Sequence, residues 1–175
     1  TANLPYPWQT QDIGTVGVTG SANYNGGTFG MTAGGADIQG TADAFRYVYA
    51  PATGNCTIIA RVASEQNVNA WSKAGVMIRE SLNTNAANAF VGLTPGNGTT
   101  WQYRSSTGGA TTYNNTSGLN APYWVKRVFS VKIVTVFRAS DGVTWTQQGT
   151  ATFTMVSTVY IGLALSSHDT SNLIP

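Results

Sequence analysis

The chain has 175 residues, 42% hydrophobic and 11% aromatic, with a net charge of +2 from nine Lys+Arg against seven Asp+Glu. That apolar content suffices to bury the core of a single domain over residues 1–175. Only 9% of residues are charged, which excludes a disordered chain and a long exposed helix or coiled coil.

Turn signals recur roughly every ten residues, at Gly26-Gly27, Gly34-Gly35, Pro51 to Asn55, Pro95 to Gly98, Gly108-Gly109 and Asp141-Gly142. Between them lie runs rich in Val, Ile, Thr and aromatics. The spacing predicts an all-β chain, a two-sheet antiparallel β-sandwich or jelly roll. Phe45 to Ala50 is the first predicted strand. Thr57 to Ser64 and Lys73 to Glu80 are expected to form a hairpin around Gln66 to Ala70. Asn88 to Thr94 and Thr99 to Ser105 form a second, around Pro95 to Gly98. Trp124 to Val131 and Ile133 to Ala139 form a third. Thr144 to Gln148, Thr150 to Thr154 and Val159 to Ser167 complete the set. No repeat of about 20 to 50 residues is present, which argues against a propeller or solenoid. No apolar run of about 18 residues is present either, so no membrane partner is expected.

Alternation along the strands divides the side chains between two faces. Ala74, Val76 and Ile78 fall on one face; Lys73, Gly75, Met77 and Arg79 fall on the other. Val159, Ile161, Leu163 and Leu165 oppose Tyr160, Gly162, Ala164, Ser166 and His168. Trp101 and Tyr103 oppose Gln102 and Arg104. One set reads as sandwich core. The other gathers Lys73, Arg79, Gln102, Arg104 and His168 around small residues, and is expected to form a shallow polar cleft over a glycine floor. The competing expectation is an ordinary solvated face. Trp71, at the proposed hairpin turn, is the exposed stacking candidate, whereas Trp101, Trp124 and Trp145 are expected to pack on the sheets. Asp169 is placed to fix the His168 tautomer.

Other chemistries are less well supported. The pI of 8.8 reflects few acids, and Lys126, Arg127, Lys132 and Arg138 are dispersed, so no nucleic-acid partner is expected. Cys56 is the only cysteine, which excludes an intrachain disulfide and a Cys/His zinc site; it is read as an apolar strand residue. Asp12, Asp37 and Asp43 are the candidate oxygen ligands for a structural calcium ion. The favoured alternative has Asp37 and Asp43 bonded to loop amides or paired with an arginine, with no cofactor. A glycosidase needs two carboxyl groups about 5–10 Å apart. The proposed hairpin separates Glu65 and Glu80, the only glutamates, by roughly 26 Å. No phosphate, dinucleotide or serine-hydrolase motif is present. The expectation is therefore not an enzyme, with a jelly-roll glycoside hydrolase as the alternative.

The segments GADIQGTADAFRYVYAPATGNCTIIARVAS, NAWSKAGVMIRESL, TPGNGTTWQYRSSTGG, YWVK, SDGVTWT and VYIGLALSSH together resemble a bacterial extracellular domain family. It is described as concanavalin A-like or laminin G-like, related to the DUF1349 proteins and similar to the levan-binding type of carbohydrate-binding module. The similarity runs over most of residues 8 to 172, and AGVMIRESL with Trp71 and Lys73 is its most specific part. The resemblance implies a jelly roll that binds a polysaccharide or oligosaccharide without catalysis, attached to other domains of a secreted protein. It agrees with strand alternation on Arg79, Arg104 and His168. It alone adds Asp43, which would orient Arg79. The alternative is a structural or adhesion sandwich without a sugar pocket. Two departures stand out. Such domains continue past SSH into a closing strand, so the ending at Ser171 to Pro175 leads us to expect a fragment lacking that strand. Ser130-Val131-Lys132 also replaces the usual glycine-containing turn.

Overall fold

The computed structural model describes residues 3–130, 132–152 and 154–175. Among the described residues fifteen strands follow one another: β1 Gln9–Ile13, β2 Ser21–Asn25, β3 Thr28–Gly35, β4 Asp37–Gln39, β5 Ala42–Thr53, β6 Cys56–Val62, β7 Lys73–Arg79, β8 Asn88–Thr94, β9 Gly98–Arg104, β10 Thr112–Thr116, β11 Tyr123–Ser130, β12 Ile133–Ala139, β13 Thr146–Thr152, β14 Thr158–Ser166 and β15 Asp169–Ile174. A large sheet runs β1-β5-β14-β7-β8-β9-β10, with β4 also paired to β5. A four-stranded sheet runs β13-β12-β11-β6, and a three-stranded one β15-β3-β2. All pairs are antiparallel. The architecture is the expected all-β sandwich.

The main core lies between the large and four-stranded sheets. Val76, Ile78, Ala89, Val91, Trp101 and Val159 meet Ile58, Val125, Phe129, Val134 and Val136 there. Val76, Ile78, Trp101 and Val159 belong to the alternating sets assigned to the interior. Arg127 is the exception. It shares the inward face of β11 with Val125 and Phe129, is fully buried, and none of its guanidinium nitrogens has a hydrogen-bond partner among the described residues. Burial lowers its pKa to about 9.

The second and third hairpins form as expected, β8 with β9 and β11 with β12; Val131, in the connection of the latter, lies outside the described residues. The first does not form. β6 pairs with β11, and β7 with β14 and β8, so the two proposed partners lie in different sheets. The chain crosses the sandwich through residues 63–72 instead of turning back on itself. The two strands expected between Thr144 and Thr154 are one strand, β13, with a register irregularity opposite Val136/Phe137; Phe153 lies outside the described residues. The closing strand is also present. Residues 169–174 pair with β3, and Ile174 is buried with Ala33, Ala74 and Leu165 in a small third core. β1 to β4 were not anticipated. β2 and β3 are joined by Gly26 and Gly27, both at positive φ, the conformation a two-residue hairpin turn requires.

Candidate functional site

Register across the large sheet aligns the outward-facing side chains in rows. One row reads Asn115, Thr100, Gly92, Gly75, Ala164, Tyr47, and the next Tyr113, Gln102, Phe90, Met77, Gly162, Tyr49. Beyond these lies a row of Arg104, Asn88, Arg79 and Tyr160, and on the other side Thr94, Lys73 and Ser166. Directly opposed residues share a face, so the side chains grouped by alternation do stand on one surface.

The middle of that surface is not open. Ile13, Ile38, Phe45, Tyr47, Tyr49, Met77, Phe90 and Ala164 form a second apolar cluster, with Leu82 and Tyr160 packed against it. The glycine floor is roofed: a Cβ on Gly92 would stand 2.4 Å from Phe90 Cζ. The Tyr47 hydroxyl is buried in this layer and donates to the Met77 and Tyr160 carbonyls.

Three predicted site residues lie at the sealed end of the face. Arg79 and Arg104 are each 0% exposed and Asp43 3%. Asp43 accepts from Arg79 Nη1 at 3.2 Å and from Asn88 at 3.1 Å. Arg104 grips it at two points, Nη1 to Oδ2 at 3.0 Å and Nη2 to Oδ1 at 2.7 Å. Asp43 thus touches Arg79 at one point, as the resemblance implied, while the two-point carboxylate–guanidinium fork is made with Arg104. The remaining guanidinium donors reach main-chain oxygens of the covering loops, Ser81 and Asn83 from Arg79, Gly40 and Ala86 from Arg104. Burial lowers the Arg79 pKa and the Asp43 carboxylate opposes that shift. Arg79, Arg104 and Asp43 thus do not line the expected cleft. Segments 39–43 and 81–86 fold over them, and they bolt those segments to the sheet.

The other four predicted residues meet at the open end. Trp71, Lys73, Gln102 and His168, with Gln39, Thr100, Tyr113 and Asn115, line a groove of about 180 Å³. Trp71 is 37% exposed and Tyr113 56%. An Asx turn presents Trp71: its N–H donates to Asn69 Oδ1 at 2.9 Å. Asn97 and Gly96, in the β8–β9 turn, both donate to the Ala70 carbonyl and hold that loop in place. Lys73 is buried and bonded to Asp37, so its charge is compensated. His168 has φ +57, a left-handed conformation that histidine adopts more readily than most residues. Its Nδ1 stands 3.3 Å from Asp37 Oδ2 but out of hydrogen-bond alignment. The expected partner, Asp169, instead accepts from Ser171 N and Asn172.

Gln102 is 2% exposed, and its Nε2 donates to the Ile38 carbonyl at 2.9 Å. Its Oε1, like Oδ1 of Asn115, is buried without a partner among the described residues. Tyr113, Asn115, Gln39 and Thr100 escaped the sequence reading. The only signal for the first two was membership of β10, which lies in a polar stretch without apolar alternation.

The remaining acids are dispersed. Asp12 pairs with Arg46 at 3.2 Å, so each of the three aspartates considered for calcium sits with cationic partners of its own. Among the described residues no three His, Cys, Asp or Glu side chains converge. Glu65 lies close enough to Lys73 to feel its charge, while burial raises its pKa to about 9. Glu80 follows Arg79 and accepts from Thr107 at 3.3 Å. The hairpin used to separate the glutamates does not form, but Glu65 feels the charge of Lys73 at the start of β7 and Glu80 follows its last residue, with a strand of roughly 20 Å between.

Comparison with protein families and with curated proteins gives no match. Solved structures do match. A functionally unknown protein from Saccharomyces cerevisiae superimposes with a TM-score of 0.71 at 15% identity, over 88% of this chain and 86% of that one. A mutant of the GH43 protein BlXynB from Bacillus licheniformis matches with a TM-score of 0.50 at 13% identity, over 82% of this chain but 30% of that chain. The chain therefore spans under a third of the second protein. At these identities the likeness is one of β-sandwich fold.

Proposed function

We propose that the domain is a non-catalytic carbohydrate-binding module of a secreted, polysaccharide-acting bacterial protein, with its ligand in the groove between β7, β9, β10 and the Trp71 loop. The observation that carries this reading is the pairing of two exposed aromatic rings, Trp71 and Tyr113, with amide and hydroxyl side chains in one shallow groove. Sugar rings offer an apolar face to an aromatic plane and hydroxyls to polar groups. The motif resemblance to extracellular concanavalin A-like domains supports the same reading, together with extracellular location and attachment to further domains. The separation of the two glutamates favours binding over glycoside hydrolysis. A groove this small buries little area, so affinity is modest.

The test is retention on a panel of polysaccharides by affinity electrophoresis, with reducing-sugar release measured in parallel. The expected result is retention by at least one polymer, weakened in Trp71→Ala, without sugar release. Retention of no polymer would favour a structural or adhesion sandwich, and sugar release a glycosidase.

A further inference from the structure

The groove is finished on the protein side in an asymmetric way. Gln102 is buried, and its amide orientation is settled by the Ile38 carbonyl, which can only accept. Nε2 must face that carbonyl, which turns Oε1 away with nothing to receive. Across the β9–β10 pair, in the neighbouring row, Asn115 Oδ1 is also buried and unpaired among the described residues. Lys73 is no counterweight, because it is already committed to Asp37 and the Trp71 carbonyl. A buried acceptor left unmet costs stability, so both oxygens are placed for groups that carry a proton.

Resting on the reading of this groove as a sugar site, we infer that it selects uncharged sugars, whose hydroxyls donate to Gln102 Oε1 and Asn115 Oδ1, and discriminates against carboxylated ones. A hydroxyl has a proton to give. An ionised carboxylate has none, and would set its own oxygens against two protein oxygens in a partly desolvated groove while losing its hydration. Sites built to hydrogen-bond a hydroxyl reject analogues that lack it, because the protein group is then stranded. Gln102 is thus the specificity-determining residue, and the aromatic rings supply area that distinguishes sugars less sharply.

The experiment is calorimetric titration of the whole domain with matched polymers: polygalacturonate and polyglucuronate, each against its carboxyl-reduced neutral form, with neutral glucan, xylan, mannan and fructan alongside. The expected result is binding to at least one neutral polymer. Each acidic polymer should bind at least tenfold more weakly than its neutral form, or neither form of that pair should bind. Gln102→Met keeps the side-chain length without the acceptor, and Asn115→Leu leaves the Gln102–Ile38 bond intact. Each should weaken neutral binding by about tenfold, and Asn115→Leu should do so with no fall in melting temperature. An acidic polymer binding as tightly as its neutral form would overturn the inference and leave the sugar site standing. So would either variant binding a neutral polymer as well as the parent. Binding of no polymer at all would overturn the inference and the sugar site together.

Discussion

The two ends of one sheet face carry similar residues and have opposite fates. At one end Arg79, Arg104, Asn88 and Asp43 are sealed under segments 39–43 and 81–86, with guanidinium donors spent on a carboxylate and on loop carbonyls. At the other, Trp71, Gln102, Tyr113 and His168 border a groove in which Gln102 and Asn115 keep acceptors unspent. The difference is not one of side-chain polarity. It lies in whether another piece of chain arrives with complementary main-chain groups. Where loops supply carbonyls, charged residues become structural bolts; where they do not, polar residues remain available to a ligand.

The sharpest way to break this comparison is at the sealed end. Asp43→Asn leaves two buried guanidinium groups without their anion, and is expected to cost about 3–5 kcal/mol in urea unfolding. A loss of under 1 kcal/mol would mean that the cluster does not hold the loops. For the same reason Arg79→Ala is expected to destabilise the domain, rather than remove ligand binding from an intact one.

Arg127 sharpens the contrast, since it is a buried guanidinium that no loop has met. Arg127→Leu replaces an uncompensated interior charge with an apolar side chain. It is expected to raise stability by about 1–4 kcal/mol, measured by the same unfolding assay. A destabilised variant would show that the charge has a partner of real worth.

Glu65 provides a pH test near the open end. Its carboxyl is held neutral by burial, with a folded pKa of about 9 against an ordinary value of 4.5. Between those values the folded chain keeps a proton that the unfolded chain has lost, so this group makes stability fall as pH rises, by at most about 1.4 kcal/mol per pH unit. Its favourable contribution is fully present below about pH 4.5 and is lost as pH climbs through 9. Unfolding midpoints at pH 5 and pH 8 should therefore differ less in Glu65→Gln than in the parent. An unchanged difference would contradict the assignment.

The smallest effect is expected at the rim. Tyr113 and Trp71 are exposed, so Tyr113→Ala and Trp71→Ala should leave stability within about 0.5 kcal/mol. Each should weaken sugar binding by two- to tenfold, corresponding to about 0.5–1.5 kcal/mol of ring contact. Binding unaffected by either change would remove the aromatic part of the site.

Much of this was legible in the residues. Alternation placed Val76, Ile78, Leu163 and Trp101 toward the main core and put Arg79, Gln102 and Arg104 on one face, because a period of two is dictated by strand geometry. It could not reveal that Phe90 leans over Gly92 or that the Asn83 carbonyl turns back on Arg79, since alternation says nothing of rotamers or loop paths, nor that the Gly40 carbonyl reaches Arg104 from a segment distant in sequence. The β6–β7 hairpin was misread because a turn signal between two strands does not specify whether the chain folds back or crosses to the other sheet. Tyr113 went unnoticed because β10 is a polar edge strand whose identity depends on pairing with β9.

The central claim is that a ligand occupies the open end and leaves the sealed end untouched. Amide and side-chain NMR shifts during titration with gluco-, xylo-, manno- and fructo-oligosaccharides test it most directly. Saturable shifts should cluster at Gln39, Trp71, Thr100, Gln102, Tyr113, Asn115 and His168, with the Arg79 and Arg104 Nε–H signals stationary. Saturable shifts centred on the arginines or on the four-stranded sheet, or none for any of the four series, would contradict it.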